Sequence, residues 1–373
     1  MLPKRVKMVK SQQKLMSCKI SLRKRIALEL FSSLRKDLVK EHELKVLFWE
    51  CTLRCNLNCG HCGSDCRAVS DVKDMPAEDF LRAVDTLTPN VDTKKILVTL
   101  TGGEALLRKD IEDVGKELCS RGYRWGIVTN GMLLDEKRLV SLLGAGMSVV
   151  ALSIDGFEEC HNSIRRNSFS FKNAVRALRL LVKNRVPYDV VTCVTSESLT
   201  SLNDFKEFLI SEGCKAWRIF TIFPVGRAAG DEKLQLNPQQ YRSLMDFIVA
   251  TRKEGRIKCS YACEGFLGGY EAEVRDGLFG CMAGIGIAGI RIDGSISGCT
   301  SIRANFNQGN IYTDNLWEVW NERFEKYRDR SWAKKGKCAS CKSWRYCNGN
   351  GMHLYDENEQ LIHCNLERLH SGL

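Results

Sequence analysis

Three cysteines at close and unequal spacing are the residues of this chain best suited to metal chemistry. Cys55, Cys59 and Cys62 are separated by three and then two residues, and they follow an apolar run at 44–49. Three thiolates hold three irons of a [4Fe–4S] cluster and leave the fourth iron open to a chelating substrate, whereas four thiolates would close it. Zinc is the alternative, although a zinc site usually pairs one CxxC with a second CxxC or an HxxxH. The spacing favours the cluster.

The segments that follow these cysteines carry a family resemblance. His61 precedes the third cysteine, and further matches follow in order at 101–104 (TGGE), at 153–156 (SIDG) with His161 and Arg165, and at 224–227 (PVGR). Together with the cysteines, these segments resemble the radical S-adenosylmethionine (SAM) enzymes, in particular the branch that modifies peptides and proteins. The resemblance covers residues 44–366.

The resemblance implies a reaction and a set of cofactor contacts. SAM would chelate the open iron, and one electron from the cluster would break its sulfur–carbon bond and release a 5′-deoxyadenosyl radical. Cys55, Cys59 and Cys62 are then the catalytic cluster ligands. The predicted cofactor-binding residues are His61, Gly102, Gly103, Glu104, Asn130, Ser153, Asp155 and Arg165.

Individual roles follow from the family and from side-chain chemistry. The glycines at 102–103 let the backbone approach a ligand closely. Glu104 is expected to accept a hydrogen bond from the SAM ammonium group, and Arg165 to pair with the SAM carboxylate. In the family, residues matching Ser153 and Arg165 contact the ribose and carboxylate region. For Asn130, an adenosine contact and a plain turn at a strand end both remain open.

A second group of cysteines lies in the loop-rich C-terminal third. Its members are Cys281, Cys299, Cys338, Cys341, Cys347 and Cys364. The group resembles the SPASM extension of radical SAM enzymes, which binds two auxiliary iron–sulfur clusters. In that pattern the last four cysteines form a complete set for an outer cluster, with zinc as the alternative.

The ligand set of the inner auxiliary cluster is incomplete. Cys281 and Cys299 match two of its ligands and Cys263 is a candidate third, but Gly351 stands where the pattern has a cysteine. Such a cluster has an open iron, has another ligand in place of the thiolate, or is absent. We favour the first two. The cysteines at 18, 119, 160, 193 and 214 are interpreted as ordinary buried thiols.

Short apolar runs alternate with amphipathic stretches between residues 44 and 253. The runs at 44–50, 95–101, 125–129, 147–154, 188–194 and 216–222 predict strands, and the stretches at 77–89, 109–121, 135–144, 171–184, 201–212 and 238–253 predict helices. This alternation is typical of an α/β fold with a parallel sheet and right-handed crossovers. Six repeats are too few for a closed eightfold barrel, so we expect a partial (β/α)6 barrel, which the resemblance also implies.

The predicted organisation has three parts. They are a basic N-terminal arm with an amphipathic helix (1–43), a radical SAM partial barrel (44–235), and a linker helix with a cysteine-rich, SPASM-type extension (236–373).

The cysteine count and the charge distribution restrict the setting. The chain has 373 residues, 18 cysteines and a net charge of +11. It shows neither a signal peptide nor an apolar stretch of about 18 residues, so we expect a cytoplasmic, low-oxygen enzyme rather than a secreted disulfide scaffold. Residues 1–28 hold nine Lys and Arg and no acid, which leaves only +2 for the rest. The nearly neutral body argues against a nucleic-acid partner.

The basic N-terminus allows three interpretations. It is a solvated tail, a contact with a membrane surface or another anionic partner, or an RNA contact. Residues 21–38 predict an amphipathic helix with Leu22, Ile26, Leu30 and Leu34 on one stripe. We expect this stripe to dock on the domain, and a place at the inner membrane face is the alternative.

The resulting hypothesis is a radical SAM enzyme that abstracts hydrogen from a peptide or protein side chain, with a low-potential electron donor as partner. Oxidation of the sulfatase-maturase type is less favoured, because Thr300 stands where those relatives carry an aspartate proposed as base. A zinc- or cluster-containing binding module without turnover is the alternative from another class. The segments 299–303 and 347–353 look most like the radical SAM enzymes of rSAM/lipoprotein systems, which implies a lipoprotein precursor as substrate.

Overall fold

The computed structural model describes residues 20–371, in which ten strands form one sheet. The strands are β1 Val46–Thr52, β2 Leu97–Gly102, β3 Arg124–Thr129, β4 Met147–Ser153, β5 Tyr188–Val194, β6 Ala216–Thr221, β7 Lys258–Tyr261, β8 Ile287–Ile290, β9 Ser295–Ser297 and β10 Gly309–Asn310. Their order across the sheet is β10-β9-β8-β1-β2-β3-β4-β5-β6-β7. Strands β1 to β7 are parallel neighbours, and the edge strands β7 and β10 do not pair with each other. The sheet is therefore an open barrel, as predicted.

Helices alternate with these strands. They are α1 Leu22–Glu41, α2 Ala77–Leu87, α3 Ile111–Ser120, α4 Glu136–Gly144, α5 Glu158–Arg165, α6 Ser170–Lys183, α7 Leu202–Ser211, α8 Pro238–Glu254, α9 Leu316–Glu322, α10 Glu325–Arg328, α11 Trp344–Cys347 and α12 Asn365–His370. Every strand and helix predicted between residues 44 and 253 is present, which confirms the fold class. Helix α5 and strands β7 to β10 were not predicted.

Large side chains lock the helices onto the sheet. In the first repeat, Trp49 of β1 stacks on Phe80 of α2 with ring centroids 4.1 Å apart and an interplanar angle of 3°. The Arg108 guanidinium lies 4.8 Å from the Trp49 ring. In the last repeat, Phe205 of α7 meets Trp217 of β6 edge-on at 5.9 Å. This packing fixes where each strand ends, and it therefore fixes the site.

The motifs lie together at the carboxyl ends of the parallel strands. The cysteine segment follows β1, Gly102 ends β2, Asn130 follows β3 and Ser153 ends β4. In barrels of this type the loops at this face carry the active site.

The cysteine-rich extension continues the barrel sheet. Strand β8 pairs in parallel with β1 over Val46↔Ile287 to Trp49↔Ile290, and β9 returns antiparallel to β8. The extension is thereby anchored beside the strand that leads into the cysteine loop. The division at residues 235 and 236 stays a prediction.

The prediction that the Leu22 stripe docks on the domain is wrong. Leu22, Ile26, Leu30 and Leu34 are 74%, 54%, 68% and 51% exposed. Helix α1 instead turns Leu28, Phe31 and Arg35 towards the extension. The pattern misled because the helix carries apolar residues on two sides. Most of the basic arm, residues 1–19, lies outside the described residues, and no described helix has the length and apolarity to span a bilayer.

Candidate active site

The predicted cluster ligands converge in the loop that follows β1. Cys55 and Cys59 are buried and Cys62 is half-buried, and with Leu57 they form a small apolar cluster apart from the main core. Burial, followed by the neighbouring Glu104, Cys59 and Cys62, raises the pKa of the Cys55 thiol to about 12. The Cys59 and Cys62 thiols are close enough to Cys55 to influence its pKa, and a three-thiolate cluster requires such a group of neighbouring thiols.

Cys66 supports one of these thiols. A hydrogen bond from the Cys66 thiol, aided by its backbone N–H at 3.4 Å, lowers the pKa of Cys62 to about 5. The same bond raises the pKa of Cys66. This bond favours the thiolate form of Cys62, which is the form that binds metal. Cys51, on the other side, is buried in β1 and donates to the Thr101 carbonyl at 3.2 Å.

The spacing of the sulfurs argues against a single metal ion. In a tetrahedral zinc site the sulfurs lie about 3.8 Å apart, because each Zn–S bond is about 2.3 Å. Among the described residues, only His61, Asp155 and Cys193 form a trio of donors that all lie within 4.8 Å of one another. The Arg165 guanidinium already balances the Asp155 carboxylate in that trio. The cysteine sets suit the larger volume of a cluster.

The two glycines bring the end of β2 against the cysteine loop. A Cβ at Gly102 would lie 2.1 Å from the carbonyl oxygen of Thr52, and one at Gly103 would lie 2.1 Å from that of Arg54. Gly103 donates its N–H to the Thr52 oxygen at 2.7 Å. Any side chain here would push the loop away. The ligand contact predicted for these glycines stays a prediction.

Glu104 joins the ends of two strands. Its Oε1 accepts hydrogen bonds from Leu106 N at 3.2 Å and Thr129 Oγ1 at 2.8 Å, and its Oε2 accepts from Asn130 N at 2.8 Å. Burial raises the pKa of Glu104, although these bonds oppose the shift. Asn130 in turn donates to Asn56 Oδ1 at 2.7 Å in the cysteine loop. Both side chains are thus bonded within the protein. The SAM contacts predicted for Glu104 and Asn130 stay predictions.

A buried charged pair lies beyond the end of β4. Arg165 Nε and Nη2 each donate to Asp155 Oδ2 at 2.7 Å, and Cys193 N donates to Oδ1 at 2.9 Å. Asp155 N donates to His161 Nδ1 at 3.0 Å, and His61 Nε2 lies 3.8 Å from Asp155 Oδ2. This network joins the end of β4 to α5 and to β5, and His61 lies beside it without a hydrogen bond to Asp155.

The electrostatics of this pair favour the ionised forms. Burial is the largest single effect and would raise the pKa of Asp155, but the Arg165 charge, together with smaller effects of His61, His161 and the Cys193 N–H, outweighs burial and lowers the pKa to about 2. Burial lowers the pKa of His61 to about 4, so its imidazole is neutral. Arg165 also opposes the effect of burial on the pKa of the Cys59 thiol. The predicted SAM contacts of Arg165, Asp155, His61 and the half-buried Ser153 stay predictions.

Arg227 fastens the cysteine loop, a role that the sequence did not indicate. Its Nε donates to the Cys59 carbonyl at 2.8 Å, and its Nη1 donates to the Cys66 carbonyl at 2.8 Å and to Asp65 Oδ1 at 2.7 Å. Its backbone N–H donates to the Cys62 carbonyl at 3.1 Å. One side chain thus fixes the loop on both sides of the third cysteine.

A cavity of about 190 Å³ lies between the cysteine loop and the extension. Glu50 and Ser64 line it from the barrel side, and Thr300, Ser301 and Arg303 line it from the extension. Arg303 donates to Glu50 Oε1 at 2.9 Å and also bonds the Ser64 hydroxyl. Neither Glu50 nor Arg303 was predicted as a site residue. The one available signal was an acidic residue inside an apolar strand, directly before Cys51.

The outer set of C-terminal cysteines is brought together. Burial first, and then the nearby Cys364 and Cys338 thiols, raises the pKa of Cys347 to about 12. Burial and the Cys364 and Cys341 thiols raise the pKa of Cys338. Asn350 N donates to Cys347 Sγ at 3.1 Å. Four thiols near enough to influence one another suit a fully ligated cluster, so the donor set fits the predicted outer site.

The inner set is also assembled. Cys263, Cys281 and Cys299 line one cavity of about 110 Å³. Cys263 retains solvent-accessible surface. The protein atoms around its thiol, and then the neighbouring Cys299 and Cys281 thiols, raise its pKa to about 12. Three thiols around one cavity fit a cluster that lacks one thiolate. Their role as ligands stays a prediction.

The remaining cysteines are not all buried. Cys214 is buried as predicted, but Cys160 and Cys193 are half-buried and Cys119 is exposed. Cys119 lies near the end of α3 against the turn at Gly146, where a Cβ would meet its sulfur at 2.4 Å. Cys18 lies outside the described residues.

Comparison with known families agrees with this architecture. Residues 49–209 match the family model of the radical SAM superfamily, and residues 281–342 match that of SPASM, an iron–sulfur cluster-binding domain. An AdoMet-dependent heme synthase of Methanosarcina barkeri is 27% identical over 83% of this chain and 92% of its own length. Mycofactocin maturase MftC of Mycolicibacterium smegmatis is 28% identical over 82% of this chain and 77% of its own length.

Solved structures share the fold. Native anSMEcpe with bound AdoMet and Cp18Cys peptide superposes with a TM-score of 0.68 at 21% identity, over 87% of this chain and 93% of that chain. Streptococcus suis SuiB bound to S-adenosylmethionine gives a TM-score of 0.66 at 18% identity, over 93% and 83% of the two chains. At these identities the likeness concerns the fold alone.

These findings establish the class of protein. It is an enzyme whose barrel binds a [4Fe–4S] cluster and SAM and whose extension binds auxiliary iron–sulfur clusters. The binding module without turnover is therefore set aside, and the finer resemblance to rSAM/lipoprotein-system enzymes stays a prediction. With a radical SAM domain at 49–209 and a SPASM domain at 281–342, the chain belongs to the SPASM-domain branch of the radical SAM superfamily.

Proposed function

We propose that this enzyme cleaves SAM reductively at a cluster held by Cys55, Cys59 and Cys62 and so modifies a peptide or protein side chain. The observation that carries the proposal is the cavity of about 190 Å³ between the cysteine loop and the extension. That volume is smaller than the ~300–1,000 Å³ of pockets that enclose a whole drug-sized ligand. It suits a substrate that inserts one side chain while the rest of the molecule stays outside.

The protein's contribution is positional. When bound, the cluster and SAM supply a 5′-deoxyadenosyl radical that takes a hydrogen atom from the substrate. Arg227 holds the cysteine loop, and the Asp155–Arg165 pair holds the end of β4 beneath it. Arg303 lines the cavity while it is paired with Glu50 and bonded to Ser64, and a substrate carboxylate would compete with Glu50 for its guanidinium. A substrate held this way would keep one side chain in line with the radical.

A tetrapyrrole side chain is the second candidate substrate. The heme-synthase relative favours it, because that similarity covers most of both chains. The similarity to mycofactocin maturase supports the first candidate. Sulfatase-maturase oxidation remains less favoured, because Thr300 lines the cavity and the nearby Glu50 carboxylate is paired with Arg303.

Deuterium transfer distinguishes the two substrate classes. The anaerobically reconstituted enzyme is incubated with SAM and dithionite, and with one of two labelled pools. One pool is the peptide and small-protein fraction of cells grown on perdeuterated amino acids, and the other is iron coproporphyrin deuterated on its side chains. We expect mass spectrometry to find deuterium in 5′-deoxyadenosine with the first pool, because the radical takes its hydrogen from the substrate.

The controls separate substrate choice from loss of the cluster. Cys62→Ala should form no 5′-deoxyadenosine with either pool, whereas Arg179→Gln, at an exposed ion pair with Glu212, should transfer deuterium normally. Deuterium from the porphyrin alone would replace the proposal by the tetrapyrrole candidate. Unlabelled 5′-deoxyadenosine with both pools would contradict both substrate classes.

We also propose that helix α1 contacts an anionic membrane surface. Its exposed apolar stripe, Leu22, Ile26, Leu30 and Leu34, lies beside the exposed Arg23 and Arg25, and residues 1–19 add six Lys and Arg. Apolar residues flanked by basic ones are typical of helices that lie in the membrane interface. We expect co-sedimentation with phosphatidylglycerol vesicles and not with phosphatidylcholine vesicles.

Substitutions on the stripe test this contact. Leu22→Ser with Ile26→Ser should abolish most of the vesicle binding, since it removes apolar area without changing charge. The matched control is Val69→Ser with Val140→Ser, two exposed valines elsewhere, which should bind as the parent does. Equal binding by both double variants would contradict the role of the stripe.

A further inference from the structure

The cavity of the inner cysteines contains a fourth donor. His353 lines the same space of about 110 Å³ as Cys263, Cys281 and Cys299. Most of the remaining lining is apolar, with Met282, Ile302 and Met352 among it. Three thiols and one imidazole therefore face one small, dry space.

The His353 imidazole is prepared to bind a metal. Its Nε2 is buried and has no hydrogen-bond partner. Burial, with a smaller effect of the Arg330 charge, lowers the pKa of His353 to about 4, so the ring is neutral at pH 7. A neutral imidazole is the form that ligates metals. A buried polar atom without a partner destabilises the folded protein, and a bond to iron would remove that cost.

Gly351 makes room for this ring. A Cβ on Gly351 would lie 2.6 Å from Cε1 and 2.8 Å from Nδ1 of His353. The imidazole thus occupies the space into which a side chain of residue 351 would project. In the SPASM pattern, position 351 is a cysteine that belongs to the inner set, so Gly351 marks the missing ligand.

The loops that carry the donors are fastened to each other. Phe266 N donates to Oδ1 of the buried Asn350 at 3.1 Å, which joins the loop of Cys263 to the loop of His353. Glu264, next to Cys263, accepts from Thr221 N at 2.6 Å and also bonds the Tyr261 hydroxyl. The His353 ring packs on Phe223 with centroids 4.8 Å apart. The donors are therefore held in place by buried bonds and by ring packing.

We propose that His353 is the fourth ligand of an auxiliary iron–sulfur cluster held by Cys263, Cys281 and Cys299. An imidazole in place of a thiolate makes the cluster one charge less negative, and histidine ligation raises the reduction potential of iron–sulfur centres. The site borders the proposed substrate cavity, because Phe223 and Ser301 line both cavities. The inference rests on the auxiliary clusters of the SPASM domain and not on the class of substrate.

The test looks for iron-bound nitrogen directly. The parent protein carries Cys55→Ala, Cys59→Ala and Cys62→Ala, so that only auxiliary clusters remain, and it is produced with ¹⁵N-histidine. After anaerobic reconstitution and reduction with dithionite, pulsed electron paramagnetic resonance should show a strong ¹⁵N coupling. His353→Cys should keep the iron, lose the coupling and lower the reduction potential of the inner cluster, because it restores a thiolate.

Two comparisons make the result decisive. His363 is a second histidine of the extension with a buried, unpartnered Nε2, so His363→Gln should leave the coupling unchanged. His353→Ala should also lose the coupling. A parent without ¹⁵N coupling, a coupling that persists in His353→Ala, or zinc in place of iron at the three thiols would overturn the proposal. No substrate is used, so a failure here is distinct from a failure of the proposed reaction.

Discussion

Replacing Cys55, Cys59 or Cys62 by alanine is expected to reduce 5′-deoxyadenosine formation to background. Each thiol supplies one iron ligand, and a cluster left with two protein ligands cannot hold its open iron in position for SAM. The loop groups three sulfurs, since Cys55 and Cys59 are buried in one cluster with Cys62 packed against it, and the Cys66 hydrogen bond lowers the pKa of Cys62. The measurement is chromatography of the products formed from SAM by anaerobically reconstituted protein with dithionite.

Other cysteines of the chain supply the controls. Cys214→Ala removes a buried thiol far along the chain, and Cys119→Ala removes an exposed one; both variants should retain product formation. The parent should bind about eight to twelve irons if one or two auxiliary clusters are present, and the alanine variants should bind about four fewer. Undiminished product from Cys59→Ala would contradict the assignment of the cluster, as would equal losses in Cys214→Ala.

The barrel was predictable because its strands and helices are long and periodic. The alternation of apolar runs and amphipathic stretches placed β1 to β6 and their helices within a few residues. Helix α5 escaped because its two buried side chains are His161 and Arg165, which serve the site and leave no apolar stripe. Strand β7 has only four residues, too few for a period to show.

The site was predictable only in part, because spacing locates ligands but not their partners. The order of the cysteines marked the cluster loop, yet no pattern showed that Glu104 is bonded within its own turn. Glu50 and Arg303 are 253 residues apart, and their pairing depends on how β8 lies beside β1. His353 was missed for the same reason: its place beside three thiols arises from loop packing.

Asp155→Asn is expected to destabilise the folded protein by about 3–5 kcal/mol, the usual cost of removing one partner from a buried ion pair. Asp155 is 2% and Arg165 6% exposed, so the guanidinium would keep its charge without a counter-ion and without water. The folded-state pKa of Asp155, about 2, lies below the unfolded value of about 3.9. The stabilisation is thus complete at pH 7 and is lost only as the pH falls from about 4 towards 2. Anaerobic denaturant titration at pH 7 measures the full effect.

A double variant separates lost charge balance from general damage to the core. Asp155→Leu with Arg165→Met replaces the pair by apolar side chains, and it should recover most of the stability lost in Asp155→Asn, because no unpaired charge remains. Glu136→Gln is the surface control: the side chains of Glu136 and its partner Lys183 are 67% and 68% exposed, so the loss should not exceed about 1 kcal/mol. The recovered double variant should still fail to form 5′-deoxyadenosine, since Arg165 ends α5, whose Ile164 carbonyl accepts from Gly60 N of the cysteine loop at 2.7 Å. If the double variant is as unstable as Asp155→Asn, the pair stabilises the protein through packing and not through charge balance. If the double variant has full activity, the Asp155–Arg165 pair does not position the cysteine loop.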